Sequence, residues 1–289
     1  MIIMRIKGGL GNQLFQYAMA YALSKKMDQP FLFNPSFTSN MTPRAYRLPL
    51  LQVASDRVIK DTDLPRKLTL LKNRYINKAC RVLQLLHHKC GDTLYWIENS
   101  NQIEIPKPDG QKISNLYIDG YFQTELYFKE YRDDLLNQLK PNYKPEEQYL
   151  NMLDIVNKSN SVAVHVRRGD FKKARGKYHY LLGKEYYKEA VSFMRKKIND
   201  PVFFWFSDDI ELVKENIGSG DDFQFVNIKT AHGDIDDMML MKNCKHIITA
   251  NSTFSWWSAW LNEHSNSIKC VPKKPYGIKE MIPESWVKI

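Results

Sequence analysis

At 289 residues the chain exceeds one average domain, and a division into two compact halves is expected. A hydrophobic share of 43% with 12% aromatics supplies a sizeable core and excludes a disordered chain. Forty-two basic residues against 32 acidic ones give a formal charge of +10, which suits an anionic partner (nucleic acid, membrane surface or nucleotide diphosphate) without choosing among them.

Residues 2–6 form a short β-branched run that meets the turn Gly8-Gly9-Leu10-Gly11-Asn12. Leu14, Phe15, Ala18, Tyr21 and Ala22 then fall at helical spacing, so strand, glycine loop and helix open an α/β unit. Phe31-Leu32-Phe33 reads as the next strand. The first residues are charged too soon for a signal peptide, and no apolar run approaches the ~18 residues of a membrane span. Cys80, Cys90, Cys244 and Cys270 form no C-x-x-C pair and read as reduced thiols. A soluble, cytoplasmic protein is expected. Over residues 64–89, Leu64, Leu68, Leu71, Tyr75, Ala79, Val82 and Leu86 recur every three or four positions and predict a helix. Its remaining positions carry Arg66, Lys67, Lys72, Arg74, Lys78, Arg81 and Lys89 and no acid. That face is either simply solvated or rests peripherally on an anionic membrane.

The segment 140–147, with Pro141 and Pro145, is the best linker and divides the chain into 1–145 and 146–289. Beyond it, strands over 161–166, 202–206, 223–228 and 246–249 alternate with helices over 184–198, 210–216, 236–243 and 254–262. Such alternation predicts a parallel sheet covered on both sides, and open parallel sheets bind ligands at the carboxyl ends of their strands.

Four motifs sit at such ends. In His165-Val166-Arg167-Arg168-Gly169-Asp170, strand alternation points His165 and Arg167 one way and Arg168 the other. Arginine keeps its charge and grips phosphate oxygens through a planar fork. Asp208 and Asp209 follow another strand, where a carboxylate can accept from guanine or ribose donors or can cap the next helix. Asn251, Ser252, Thr253 and Ser255 open a helix and form a candidate phosphate site, whereas the neighbouring tryptophans read as packing. In the glycine turn, Gly9 and Gly11 allow close backbone approach, but the motif is neither a P-loop nor a full G-x-G-x-x-G. Asp234-Ile235-Asp236 has the D-x-D form used to hold divalent ions on sugar diphosphates. With arginines at hand it reads as the start of a helix, and no metal is expected. A basic nucleic-acid-binding protein would need a basic stripe with stacking aromatics on one face. Here the arginines stand beside a glycine and an acid at a strand end, so no nucleic acid is expected.

The ordered set of residues 8–18, 165–170, 207–209 and 251–257, with Asp119-Gly120-Tyr121-Phe122-Gln123 and Asp237-Met238-Met239-Leu240-Met241, resembles the galactoside α-1,2-fucosyltransferases almost from end to end. The resemblance implies an α/β, GT-B-like enzyme of two Rossmann-like domains facing a cleft. It implies inverting transfer of fucose from GDP-fucose to the 2-hydroxyl of a terminal galactose, with neither metal nor cofactor. Residues 1–145 would then be the acceptor side and 146–289 the donor-binding domain. By the same resemblance Arg167 would bind the β-phosphate, and His165, Arg168 and Asp237 would lie by the nucleotide. Asp208 would face guanine or ribose, and Asn251, Ser252, Thr253 and Ser255 would surround the diphosphate. Gly9 and Gly11 would line the site. Asn12 matches an asparagine important in catalysis in protein O-fucosyltransferases. Asp119 is a candidate general base or, equally, a turn carboxylate. Ser258 replaces a glycine common in the family, and the animal relatives' anchor and stem are lacking, which implies a bacterial, cytoplasmic form. The α-1,6-fucosyltransferases are the near alternative.

Overall fold

The computed structural model describes residues 1–35, 45–54, 57–64, 75, 87–90, 92–98, 114–167, 182–273 and 279–289. They fall into two compact units, Met1–Tyr143 and Lys144–Ile289, and the boundary lies inside the proline-containing segment.

The first unit opens with β1 (Ile2–Arg5), α1 (Leu10–Met27) and β2 (Phe31–Asn34). After short 3-10 turns come β3 (His87–Cys90), β4 (Thr93–Ile97), β5 (Asn115–Asp119) and α2 (Arg132–Gln138). The sheet order is β2-β1-β5-β4-β3, parallel except for the β3/β4 hairpin. Strand order therefore reverses between β1 and β5. Ile2, Met4, Phe33, Tyr95, Ile97, Tyr117 and Ile118 are fully enclosed. α1 is apolar nearly all round and correspondingly buried, its Tyr17 and Tyr21 meeting Phe31 and Phe33 of β2. Each such ring contributes about 1.5–3 kcal/mol by leaving water.

The predicted helix over 64–89 ends too late. His87–Cys90 is a strand, pairing antiparallel with Thr93–Ile97 in the register His87↔Trp96 to Cys90↔Thr93. An aromatic and β-branched neighbour strand recruits this stretch as its edge and overrides the local apolar period. Residues 65–74 and 76–86 lie outside the described residues.

The second unit begins with α3 (Glu147–Lys158) and alternates thereafter: β6 (Asn160–Val166), α4 (Lys184–Lys197), β7 (Pro201–Ser207), α5 (Ile210–Ile217) and β8 (Phe223–Phe225). It continues with α6 (Gly233–Asn243), β9 (His246–Ile248), α7 (Thr253–Leu261), β10 (Lys269–Val271) and β11 (Val287–Lys288). The sheet order is β11-β10-β9-β6-β7-β8 and every pairing is parallel. The chain steps from β6 to β8 in one direction, then returns to lay β9 against the free side of β6. That is the doubly wound topology, with its reversal between β6 and β9. Val162, Val164 and Val166 pack with Tyr187, Ala190 and Met194 of α4 and Val213 of α5. Alternation turns Ala163 and His165 to the opposite face, and the His165 ring lies 5.4 Å from that of Phe254 on α7. Burial on both faces explains why β6 and β7 read as unbroken apolar runs.

Two predicted boundaries shift by three residues. The strand expected over 223–228 stops at Phe225, and the helix expected from residue 236 begins at Gly233. Cys244 and Cys270 are buried free thiols. Among the described residues no helix is long and apolar enough to cross a membrane.

Candidate functional site

Parallel pairing brings the carboxyl ends of β7, β6 and β9 side by side in the second unit. Arg167 follows β6, Asp208 follows β7, and their side chains form an ion pair of 3.1 Å, each 27% exposed. The neighbouring Asp209 caps α5, accepting from the Leu212 N–H at 3.3 Å. The two adjacent acids are thus separated by role: Asp209 starts the helix, and Asp208 orients the arginine. His165 is only 4% exposed, and its Nδ1 has no hydrogen-bond partner among the described residues. Burial, and then the charge of Arg167, pushes its pKa down to about 3, so the imidazole is neutral at any working pH.

On the other side of β6, Ser252 caps α7, its Oγ accepting from the Phe254 N–H at 3.3 Å. Thr253 is half-buried on the first turn and Asn251 is buried just before it. Ser255 differs. It is fully enclosed, accepts from Ala250 N–H and donates to the Ser252 carbonyl, so it shapes the loop from within. Trp256, Trp257 and Trp260 are core residues, and Trp256 Nε1 donates to the Met281 carbonyl. Asp234 and Asp236 lie in the first turn of α6, where Asp236 accepts from the Thr230 hydroxyl at 2.6 Å. Burial, then Asp236 and Asp234, raises the Asp237 carboxyl to about 7. Arg168 lies outside the described residues. Among those described, no group of three or more His, Cys, Asp or Glu is arranged to hold a metal ion.

In the first unit the carboxyl ends of β1 and β5 carry a second cluster. Gly8 has φ +84°, and a Cβ there would come within 2.5 Å of Asn12 Nδ2, so glycine is required. Gly9 is the N-cap of α1 and Gly11 is buried in its first turn. Gln13 holds the turn by donating to the Gly8 and Ala45 carbonyls and accepting from Arg47 N–H. Gln16 bridges the two strand ends, accepting from Lys7 N–H and donating to the Gly120 carbonyl. Asp119 is fully buried and accepts from Arg5 at 2.5 Å, Lys7 Nζ at 2.5 Å and the Tyr95 hydroxyl at 2.8 Å. Burial alone would raise its pKa, but the charges of Lys7 and Arg5 outweigh it and hold the carboxylate far below its usual range. Lys7 Nζ also lies 4.6 Å from the centre of the Tyr121 ring.

Residues 108–285 match glycosyl transferase family 11. The chain belongs to that family. An Escherichia coli α-1,2-colitosyltransferase is 31% identical over all of this chain and 98% of its own length. The bovine galactoside 2-α-L-fucosyltransferase SEC1 is 25% identical over 88% of this chain and 62% of the relative. Among solved structures, the NodZ α-1,6-fucosyltransferase of Bradyrhizobium, soaked with GDP-fucose, superposes with a TM-score of 0.53. That match is 14% identical and covers 90% of this chain and 91% of NodZ, so it speaks for the fold alone. The resemblance to the α-1,2-fucosyltransferase family and the GT-B-like fold both stand, and the family 11 chain is a glycosyltransferase.

In this transferase, the sequence pattern gave no role to Arg5, Lys7, Tyr95 and Glu98, nor to Gln16 and Gln123 within the motifs that carry the resemblance. One signal was available. Arg5 and Lys7 are two apart at the end of a strand, hence on one face, and two cations there call for a buried anion.

Proposed function

We propose that this family 11 transferase moves L-fucose from GDP-fucose to the 2-hydroxyl of a terminal galactose, with inversion and without metal. The supporting observation is the Arg167–Asp208 ion pair beside neutral His165 and the start of α7, at the strand reversal between β6 and β9. Ligands of doubly wound sheets bind at that position. In this reading residues 146–289 hold the donor. Arg167, oriented by Asp208, neutralises charge on the β-phosphate as the bond to fucose breaks. His165 meets the nucleotide as a neutral hydrogen-bonding group, and by the family resemblance Arg168 and Asp237 also serve the nucleotide. Asn251, Ser252 and Thr253 offer donors to the diphosphate, and Ser255 supports them from inside. Residues 1–145 take the acceptor. Asn12, between Gly9, Gly11 and the end of β5, holds the phosphate or sugar in line while the acceptor hydroxyl attacks the opposite face. Asp119 does not suit proton abstraction, because two cations stabilise its ionised form; it serves as the anion that fixes Lys7 and Arg5. A dissociative displacement places little demand on a base.

A second donor is favoured by one observation, the colitosyl activity in the name of the 31%-identical relative. Colitose is fucose without its 3-hydroxyl, so both donors share the GDP and the anomeric chemistry. Purified protein should be incubated with GDP-fucose or GDP-colitose and a panel of β-galactosides, and the product linkage read by NMR. An α-1,2-fucosyl product is expected. An α-1,6 linkage, or transfer from GDP-colitose alone, sinks the assignment. Arg167→Ala should lower kcat about 100-fold or more with the fold intact; near-normal turnover removes its phosphate role.

A further inference from the structure

A side-chain hydrogen bond joins the first turn of α1 to the segment that leaves β5: Gln123 Nε2 donates to Asn12 Oδ1 at 2.9 Å. An asparagine amide can present either its oxygen or its NH2 group, because the two ends have nearly the same shape. The bond from Gln123 removes that freedom. It engages Oδ1 as an acceptor and leaves Nδ2 leaning over Gly8, where an added Cβ would stand 2.5 Å away. We propose that Gln123 is a positioning residue of the transfer reaction, turning Asn12 so that it offers hydrogen-bond donors to the departing diphosphate or the sugar. The inference rests on the role given to Asn12 above.

The loop that delivers Gln123 is fixed from several sides. Phe122, directly before it, is fully buried in the left-handed region at φ +53° and stacks 5.9 Å from Trp96. Non-glycine residues stay in that region only where their surroundings over-determine it. Here the Glu98 carboxylate accepts from both Tyr121 N–H, at 2.7 Å, and Phe122 N–H, at 2.9 Å. The Gly120 carbonyl is held by Gln16, and Thr124 N–H closes onto the Phe122 carbonyl. The backbone turn and the side chain that follows it are therefore set before substrate arrives, as an in-line reaction requires.

The test is steady-state release of GDP from GDP-fucose with lactose as acceptor, for wild type, Asn12→Ala, Gln123→Glu, Gln123→Met and the double variant Asn12→Ala/Gln123→Glu. Gln123→Glu keeps the shape but can only accept, so it captures Nδ2 and turns Oδ1 outward. Its kcat should fall about 10- to 100-fold, with the KM for GDP-fucose changed less than about threefold. Gln123→Met leaves the amide free to rotate and should lose less. In the Asn12→Ala background, Gln123→Glu should cost nothing further, because the group it misplaces is gone. Wild-type kcat in Gln123→Glu, or the same loss in both backgrounds, overturns the inference; with Asn12→Ala still slow, the role of Asn12 survives. Should Gln123→Glu fail to fold, wild-type kcat in Gln123→Met overturns it instead. Full activity in Asn12→Ala removes the role of Asn12 and the inference together.

Discussion

Asp237 keeps a proton that most carboxylates lose near pH 4. Its pKa is raised to about 7 by burial on α6, reinforced by Asp236 and Asp234, against an ordinary value of 3.8. Below pH 3.8 the native and unfolded chains both hold the proton, and the stabilisation linked to it is fully present. Between there and pH 7 the unfolded chain ionises while the native one does not, so stability declines as pH rises and the contribution is gone above 7. Asp237→Asn fixes the neutral form. Its melting temperature should exceed that of wild type at pH 8, and the gap should shrink at pH 5; equal shifts at both pH values would show that the carboxyl is not carrying this charge penalty. Asp119 has the reverse character, since its ionised form holds two cations. Asp119→Asn leaves Arg5, 4% exposed, without its buried countercharge, and should cost about 3–5 kcal/mol in urea unfolding at pH 7. A loss below ~1 kcal/mol would mean that water reaches the cluster.

At the scale of single elements, close approach decides which residues are allowed. A Cβ on Gly120 would meet Glu98 Cβ at 2.5 Å and Phe122 Cζ at 2.6 Å. Gly120→Ala must therefore push apart the two groups that hold the loop after β5. It should destabilise by about 1–3 kcal/mol, read as a lower urea midpoint at unchanged slope; an unchanged midpoint would show that the loop yields freely. The same scale explains what could be read in advance. β6 and β7 were legible as unbroken apolar runs and α4 and α5 by their helical period, with glycine or proline near their ends. β10 and β11, three and two residues long, are too short to show any period. α3 was missed although Tyr149 and Val156, its buried residues, stand seven apart at helical spacing. β4 and β5 are rich in aromatic and β-branched residues, yet β3 takes its state from β4 and not from its own apolar pattern. The Asp119 cluster was illegible for a different reason: Arg5 and its partner are separated by 114 positions, and only the β1–β5 pairing unites them.

For the molecule as a whole, each unit carries its candidate cluster where its own strand order reverses, β1/β5 in one and β6/β9 in the other. Alternation along the chain was enough to predict parallel sheets and to look for function at their carboxyl ends. It could not say that Asp208 would pair with Arg167 while Asp209 caps the next helix, because that depends on which carboxylate the helix start consumes. The charge balance bears on the remaining chemical choice. A departing nucleoside diphosphate needs its developing charge met either by a divalent ion or by fixed cations. The chain carries a formal charge of +10, and Arg167 stands at the proposed phosphate position with its guanidinium already oriented. Fixed cations need no ion to bind first, so GDP release from GDP-fucose should proceed undiminished in excess EDTA. It should also slow at high salt, which screens a surface cation from an anionic donor. Activity abolished by EDTA and restored by Mn2+ would shift the charge to a bound ion and make Asp234 and Asp236 its first candidate ligands.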